Sequence, residues 1–450
     1  MTGACTVPVI PARWMEPSRL AQELFGGATR TFAVELWNGA VLPPGAPGPA
    51  VPGRVVLRNP RALDALMPPV DEARIAEAYV RGDLDIGGDV PGVLEAVACW
   101  DGPRASWALA LEALRTRVRR IAGGATRPPG ARLRGLKHSQ GRDGEAVRHH
   151  YDLSNDFYRL FLGPELVYSC AYFPSGTESL EEAQRAKLEL VCRKLELRPR
   201  ERLLDVGCGW GALLAHATLR HGASGIGVTL SANQLTEARR RLQPLGGSAE
   251  AIDYRRLAPE RPFDKVASIG MMEHVGRMRL DEYFSAMWRL LRPGGLFLNH
   301  AIADAAAGRT IPWASQRRGG FISRYIFPDS DLVPLSLVVA AAERAGFEVR
   351  DVESMREHYA TTLCAWLARL ERSFTEAVAL VGPDRARAYR LYLASSAVAF
   401  RTGKISVFQV LLARRTEAGR AEGVPSNRAV WYAPGPCAVP GSPAANLAVR

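Results

Sequence analysis

The strongest constraint on the fold is an alternation of strand-like and helix-like segments that begins near residue 185. ERLLDVGCG precedes the helical WGALLAHATLRHG, and GIGVTLS precedes the helical ANQLTEARRRLQ. FDKVASIG is followed by LDEYFSAMWRLLRPGG and then by the strand-like LFLNHAI. Strands separated by helices at this spacing form βαβ units, in which the strands pair in parallel. The sequence therefore predicts the α/β fold class, with a doubly wound sheet.

The rest of the chain divides around this sheet. Residues 1–112 predict a small α+β N-terminal domain, and residues 113–137 predict a linker rich in Gly, Pro and basic residues. The sheet belongs to a larger domain over residues 138–415, in which the helical, aromatic-rich stretch at about 305–400 is expected to cap the carboxyl edge of the sheet. We expect the small, Pro-rich residues of 416–450 to form a disordered tail.

The chain is strongly basic, with a formal net charge of +12. Eight Lys and Arg residues and no acidic residue lie in 113–137. Such a charge favours an anionic partner, either nucleic acid or an acidic membrane surface. No apolar run approaches the roughly 18 residues that span a bilayer. Because no N/D-P-P-Y/F signature is present, the membrane is favoured over nucleic acid, and any contact with it would be peripheral.

Cysteine usage and the N-terminus bear on location. The seven cysteines are scattered and form no C-x-x-C pair, as is typical of reduced cytosolic thiols. The start, MTGACTVPVIPARW, lacks the pattern of a signal peptide. We therefore expect a cytoplasmic protein associated with the inner face of the membrane.

A glycine loop, Asp205-Val-Gly-Cys-Gly-Trp-Gly211, lies where a predicted strand passes into a helix. Glycines there let a ligand approach the backbone, and the helix N-terminus offers unpaired N–H groups to an anion. The spacing differs from the G-x-G-x-x-G of dinucleotide folds. Together with the strands that follow, the loop resembles motif I of class I S-adenosylmethionine (SAM) methyltransferases, which implies a Rossmann-like sheet and SAM as the cofactor.

Further segments resemble the cyclopropane-fatty-acid synthase family, which includes mycolic-acid cyclopropane synthases and fatty-acid C-methyltransferases. Together they span about 149–415. The segments are HHYDLSNDFYRLFLGPELVYSCAYF (149–173), LLDVGCGWG (203–211), GVTLSANQ (227–234), IGMMEHVG (269–276), FISRYIFPDSDLVPLS (321–336), HYATTLCAW (358–366) and FRTGKISVFQVLLARR (400–415).

The resemblance implies transfer of a methylene group from SAM to the double bond of an unsaturated acyl chain, usually in a phospholipid. It further implies a bound bicarbonate that removes a proton from the carbocation intermediate. The residues that match the bicarbonate site are Cys170, Glu273, His300, Tyr359 and the backbone of Ile302. Glu273 and His300 also follow or end predicted strands, the edge at which ligands bind in open α/β sheets.

The resemblance also implies a set of SAM contacts. Thr229 stands where most SAM methyltransferases have an acid for the ribose, and Gln234 is close enough in sequence to share that contact. Asp253 is expected at the adenine amine, with loop capping as its alternative role. The full set is Tyr168, Ser169, Asp205, Gly207, Gly209, Thr229, Gln234 and Asp253.

Aromatic side chains are candidates for the walls of an acyl tunnel. Tyr172, Phe173 and residues 325–327 are the candidates, with ordinary core packing as the alternative. The adjacent His149-His150 pair has no accompanying carboxylate or cysteine pattern, so we predict no metal site.

Several functions remain open from the sequence. The same first step gives either a cyclopropane or a methylene-branched chain that a separate reductase would convert to a methyl branch. Methylation of a small soluble metabolite and a lipid-binding protein without activity are less favoured alternatives, since residues 321–342 are apolar and no bicarbonate ligand is missing. For the N-terminal domain the hypotheses are positioning on the membrane and formation of a homodimer.

Overall fold

The computed structural model divides the chain into two compact units, Met1–Pro128 and Pro129–Arg450, and the division falls inside the predicted linker. Nearly all of the basic segment 113–137 lies outside the described residues. The structure describes residues 17–26, 30–45, 52–67, 70–100, 113, 116, 137–305, 320–421 and 423–433.

The first unit is a small α+β structure. Its four-stranded sheet has the order β2-β1-β3-β4, and β1 and β3 are parallel whereas the other pairs are antiparallel. The glycines of LDIGG lie within strand β4, which pairs antiparallel with β3. The elements are α1 (Pro17–Phe25), β1 (Ala33–Glu35), β2 (Val41–Leu42), β3 (Gly53–Leu57), α2 (Arg61–Leu66), α3 (Glu72–Val80), β4 (Leu84–Gly88) and α4 (Val90–Ala98).

The second unit is built on a seven-stranded sheet with the order β10-β11-β9-β8-β5-β6-β7. The five strands from β5 to β9 pair in parallel, and β10 and β11 are added antiparallel at one edge. The predicted α/β fold class with a doubly wound, Rossmann-like sheet is confirmed. The strands are β5 (Arg202–Val206), β6 (Ser224–Val228), β7 (Ser248–Glu250), β8 (Phe263–Ile269), β9 (Leu291–Asp304), β10 (Glu348–Ser354) and β11 (Ile405–Ala413).

Helices cover both faces of this sheet. One apolar core joins α7 (Leu180–Lys194), α8 (Ala212–His221) and α9 (Ala232–Leu242) to the sheet. Another core joins α10 (Leu280–Leu290) and α12 (Leu335–Arg344) to it. None of the helices in the described ranges is long and apolar enough to cross a bilayer. The helices are α5 (Gln140–Tyr151), α6 (Asn155–Leu162), α7 (Leu180–Lys194), α8 (Ala212–His221), α9 (Ala232–Leu242), α10 (Leu280–Leu290), α11 (Phe321–Tyr325), α12 (Leu335–Arg344), α13 (Arg356–Arg372), α14 (Phe374–Val381), α15 (Pro383–Arg401) and α16 (Ala429–Tyr432).

The stretch at 305–400 contains helices over the carboxyl edge but also elements of the sheet and of the layers that flank it. Its helix α12 packs in the sandwich beside α10, and β10 is a strand of the sheet itself. Residues over the carboxyl edge come from helices α13 and α15 of this stretch and also from α5 and α6, which precede the sheet in the chain. Tyr158 of α6 joins them, since its hydroxyl lies 2.9 Å from that of Tyr389 on α15.

The C-terminal segment is ordered where the structure describes it. Residues 423–433 end in α16, and Trp431 is buried against the core that contains α7. Arg428 Nε lies 2.7 Å from Asp351 on β10, while the Lys194 ammonium lies 5.6 Å from the Trp431 ring. The expectation of disorder over 416–450 is therefore wrong for 416–421 and 423–433, and residues 434–450 lie outside the described residues.

We expect Trp431→Ala to lower the free energy of unfolding by about 3 kcal/mol, because it removes a large buried side chain and leaves a cavity. Tyr432→Ala is the matched control, because that neighbouring side chain is exposed. Denaturant unfolding of both variants measures the difference. Equal stabilities of the two variants would contradict the docking of this segment.

Candidate active site

The glycine loop after β5 turns sharply and leaves its backbone open. Gly207 and Gly209 have φ of +80° and +54°, which is left-handed backbone that side chains with a Cβ disfavour. The N–H of Gly207 donates to Val228 O at 2.9 Å, which ties the loop to β6. A Cβ at Gly207 would lie 3.0 Å from Met271. The loop therefore forms the bottom of a cavity at the start of α8, and it has no room for larger side chains at Gly207.

All eight predicted SAM contacts line this cavity. The cavity lies at the carboxyl edge of β5, β6 and β8, as expected for a ligand site in an open α/β sheet. The eight residues are Tyr168, Ser169, Asp205, Gly207, Gly209, Thr229, Gln234 and Asp253.

Thr229 and Gln234 lie side by side in this cavity. The Thr229 hydroxyl donates to Gln234 Oε1 at 2.7 Å, and both residues are buried. The two side chains thus form one polar group in the position where an acid is usual in these folds. This arrangement fits the shared ribose contact that the sequence suggested.

Asp253 is largely engaged by its own loop. Its Oδ1 accepts the backbone N–H of Arg255 at 2.9 Å, and its Oδ2 accepts Arg255 Nη2 at 2.6 Å. Arg255 also donates to Asp143 at 3.0 Å. The loop-capping role left open in the sequence is therefore present, and a contact to a nucleobase would have to be made by a carboxylate already held by Arg255.

A buried lysine that the sequence analysis missed also lines this cavity. Lys187 Nζ, on α7, donates to Ser169 Oγ at 2.9 Å. Burial lowers the pKa of Lys187 to about 8 and raises the pKa of Asp205 to about 7, although the lysine opposes the shift of the acid. A charged lysine beside the glycine loop can attract the carboxylate of an amino acid ligand.

The five predicted catalytic residues come together around a second cavity. Cys170 lies in the segment between α6 and α7, and Glu273 lies in the 3-10 turn after β8. His300 and Ile302 are on β9, and Tyr359 is on α13. The parallel pairing of β8 with β9 places Ile269 opposite His300, so the side chains that follow these strands meet at one edge.

Glu273 is buried with one oxygen bonded and one oxygen directed into the cavity. Its Oε1 accepts the N–H of Ile302 at 2.8 Å, whereas Oε2 has no hydrogen-bond partner among the described residues. Burial raises the pKa of Glu273 to about 7, opposed by the Ile302 N–H. At neutral pH this carboxyl can therefore carry a proton and donate it in a hydrogen bond.

His300 is held as a neutral imidazole. The Gln409 amide nitrogen on β11 lies 3.3 Å from its Nδ1, and when this amide donates to Nδ1 the ring proton is on Nε2. This Nε2 has no partner among the described residues, and burial lowers the pKa of His300 to about 3. His300 thus offers a single N–H donor to the cavity.

Cys170 and Tyr359 are protonated at neutral pH and line the same cavity, although Cys170 Sγ already donates to Ala171 O at 3.2 Å. Burial raises the pKa of the Cys170 thiol and of the Tyr359 hydroxyl far above their usual ranges. The Cys170 segment is fixed by Thr362, whose Oγ1 accepts the N–H of Ala171 at 3.1 Å. Tyr359 packs on Phe400, with ring centroids 4.6 Å apart.

The walls of the second cavity are aromatic, but most of them are not those predicted for the acyl tunnel. Phe327 lines it, whereas Tyr172, Phe173, Tyr325 and Ile326 do not. Tyr172 packs instead against His358, with centroids 4.9 Å apart. The aromatic residues that line this cavity are Tyr151, Tyr168, Phe327, Tyr359, Tyr392 and Phe400.

The two cavities share a wall. Tyr151, Tyr168, Ser169, Gly270 and His274 line both of them. A group bound at the glycine loop and a chain bound among the aromatic residues would therefore meet at this wall. The arrangement suits transfer between a polar ligand and an apolar one.

The second cavity fits a small anion that accepts hydrogen bonds. Glu273 Oε2 and His300 Nε2 are buried polar atoms without partners, a costly state unless a ligand satisfies them. No Lys or Arg is among the described residues that line this cavity. The Ile302 N–H, predicted as a further donor, is used by Glu273 and would have to be shared.

Comparisons with known proteins identify the family of this chain. A family model described as mycolic acid cyclopropane synthetase matches residues 138–410. The chain is 39% identical to a Pseudomonas putida protein named "Probable fatty acid methyltransferase", over 84% of this chain and 90% of that protein. It is 37% identical to the cyclopropane-fatty-acyl-phospholipid synthase of Escherichia coli strain K12, over 64% of this chain and 73% of that enzyme.

Solved structures agree as well. The cyclopropane synthase MmaA2 of Mycobacterium tuberculosis has a TM-score of 0.57 at 34% identity, covering 60% of this chain and 97% of that one. Mycolic acid cyclopropane synthase CmaA1, complexed with SAH and CTAB, gives the same TM-score at 37% identity, with the same coverage. The chain therefore belongs to the mycolic acid cyclopropane synthetase family of SAM-dependent enzymes.

Proposed function

We propose that the protein transfers a methylene group from SAM to the double bond of an unsaturated fatty acyl chain, in a phospholipid, and forms a cyclopropane. One observation carries this proposal. The five residues predicted for the proton-removing site converge on an aromatic cavity that shares a wall with the glycine-loop cavity.

The glycine-loop cavity suits SAM because it offers a different partner to each part of the molecule. The open backbone at Gly207 and Gly209 and the nearby Lys187 can bind the amino acid end. The hydrogen-bonded pair of Thr229 and Gln234 can bind the ribose hydroxyls. SAM supplies the electrophilic methyl group, which the shared wall would direct toward the second cavity.

The second cavity suits an acyl chain that passes through a cation. Its aromatic walls exclude water and can each stabilise a nearby positive charge by about 0.5–2 kcal/mol. The absence of Lys and Arg from the described lining also avoids repulsion of that cation.

Bicarbonate, when bound, supplies the base that takes the last proton. The neutral donors His300 Nε2–H, the Cys170 thiol and the Tyr359 hydroxyl can hold it without neutralising its charge. A proton on Glu273 removes the repulsion between its carboxyl and the anion.

A methylene-branched product is the second candidate. The Pseudomonas putida relative named as a fatty acid methyltransferase covers more of this chain than the Escherichia coli cyclopropane-fatty-acyl-phospholipid synthase does. A hydride shift before loss of the proton would give this product, and a separate reductase would then form the methyl branch. The same residues remove the proton in either reaction.

We further propose that the enzyme works on the inner face of the membrane, from the cytoplasm. The basic segment 113–137 would attract an anionic leaflet, at about 1 kcal/mol per basic residue near the surface. The N-terminal unit would position the catalytic unit there or form a homodimer.

The first test is lipid analysis of a host that makes unsaturated phospholipids and expresses the full chain. We expect unsaturated acyl chains to gain the mass of one CH2 group. His300→Ala should reduce this product by about 100-fold or more, because it removes a donor at the reacting centre. Ozonolysis separates the products, since a methylene branch keeps a double bond and a cyclopropane does not.

Cys99→Ser is the control, since that exposed thiol is in the first unit and remote in sequence from the site. It should give the product in wild-type amounts. Unchanged acyl chains in the presence of abundant folded wild-type protein would refute both candidate reactions.

A second test uses the pKa of Glu273, which is about 7 in the folded protein and about 4.5 when unfolded. The folded state binds the proton more tightly, so stability is lost as pH rises from about 4.5 to 7. Above pH 7 the shifted pKa of Glu273 lowers the free energy of unfolding by about 3 kcal/mol relative to its value at low pH. We expect Glu273→Gln to be more stable than the wild type at pH 8 by up to that amount, but not at pH 4.

Thermal unfolding at the two pH values measures this gain. Glu376→Gln, at an exposed position, should change stability little at either pH. If the stability of Glu273→Gln differs from that of the wild type by the same amount at pH 4 and pH 8, the pKa of Glu273 is not raised by folding.

A third test addresses the membrane. The protein should bind anionic vesicles, and binding should weaken with added salt and with replacement of the arginines in 113–137 by glutamine. Vesicle co-sedimentation measures this. The control replaces the same number of arginines by glutamine at other positions of the second unit. Vesicle binding that changes neither with added salt nor with replacement of the arginines in 113–137 would refute the role of this segment.

A further inference from the structure

A second group of reactive side chains lies between α7 and α8, apart from the catalytic residues. Cys192 is on α7, and His216 and His221 are on α8. One donor atom from each of these three residues lies within 4.8 Å of the other two. Thiolate and imidazole are the ligands that zinc and related transition metals prefer in proteins.

A carboxylate lies directly against the two imidazoles. Glu189 Oε2 is 2.9 Å from His216 Nε2 and 3.1 Å from His221 Nε2. Its other oxygen accepts Arg193 Nε at 2.8 Å, so the carboxylate is fixed in orientation. Carboxylates that hold the imidazoles of metal-binding histidines are a regular feature of such sites.

We propose that Cys192 Sγ and the Nδ1 atoms of His216 and His221 bind a divalent transition metal ion of the zinc class, while Glu189 orients both imidazoles through their Nε2 atoms. Metal–ligand bonds of about 2.0–2.3 Å place tetrahedral ligands about 3.3–3.5 Å apart. Side-chain rotations of about 1 Å would bring the three donors to this spacing.

The charges of the group favour a cation. A Cys192 thiolate would supply one negative charge, and the Glu189 carboxylate a second, which Arg193 Nε at 2.8 Å partly balances. Cys192 is fully buried, whereas the side chains of His216 and His221 are 14% and 17% exposed and give an ion access from solvent. Binding displaces the thiol proton to solvent, so affinity should rise with pH.

The position of the group suggests a structural role. Helix α7 lines the glycine-loop cavity through Lys187 and Leu188, and α8 lines it through Ala212 and Leu213. An ion bound by Cys192, His216 and His221 would cross-link these two helices behind that cavity. It would stabilise the folded chain by RT ln(1 + M/Kd), where M is the concentration of free metal, so stability should rise with that concentration.

The test is titration of Co²⁺ into the full chain after removal of metals by a chelator. We expect one equivalent to bind, with visible bands of tetrahedral cobalt and a thiolate-to-cobalt charge-transfer band in the near ultraviolet. Zn²⁺ should displace Co²⁺ and abolish these bands. His216→Gln, His221→Gln and Glu189→Gln should each weaken binding about tenfold or more.

Cys192→Ser should remove the charge-transfer band, and Cys364→Ser, a partly buried thiol on α13, is its matched control. SAH binding by each variant verifies that it is folded. A charge-transfer band that persists in Cys192→Ser, or cobalt binding unaffected by the His216 and His221 substitutions, would overturn the proposal. Failure of the wild type to bind one equivalent would show that the group is only a hydrogen-bonded cluster around Glu189.

Discussion

The parallel pairing of β8 with β9 is the constraint on which both cavities depend. It places Ile269, the last residue of β8, opposite His300 and lets Gly270 donate to His300 O at 2.8 Å, while β9 continues to Asp304 along β11. Glu273 then lies within reach of the Ile302 backbone. Because β5 pairs with the other side of β8, the glycine loop opens beside the same edge. A change in this register would separate the acyl site from the SAM site.

Much of this arrangement could be predicted because it follows from short-range patterns. The glycine loop marked the end of β5, and the residues after β8 and on β9 marked the carboxyl edge. Strand β10 was missed because its EVRDVES sequence is mostly charged, while its partner β11 supplies the apolar contacts. The burial of Lys187 and Lys194 on α7 could not be predicted either. They lie in a run of Glu and Arg that is typical of a solvent-facing helix, yet both are buried.

The group around Cys192 could not have been found by spacing. His216 and His221 are separated from it by β5 and the glycine loop, so no linear motif links the three residues. Only the packing of α8 on α7 brings them together. Likewise, most aromatic walls of the second cavity come from α5, α13 and α15, three helices far apart in sequence, whereas Tyr172 and Phe173 beside Cys170 do not line it.

Burial shifts the pKa values of several ionisable groups in the second unit away from their values in water. Glu273, Asp205 and Lys187 all have pKa values moved toward neutrality by burial. The burial of each group lowers the free energy of unfolding, and it also allows the group to gain or lose a proton near neutral pH. The large cores on both faces of the sheet offset this loss.

The docking of the C-terminal segment bears on how the chain folds during synthesis. Lys194, Asp351 and Glu353 are brought together when β10 joins the sheet, but Trp431 and Arg428 cover them only after almost the whole chain has been made. The first unit contains its own sheet and can fold early, as N-terminal domains generally do. Until α16 has docked, the second unit exposes a charged cluster that the finished protein keeps from water.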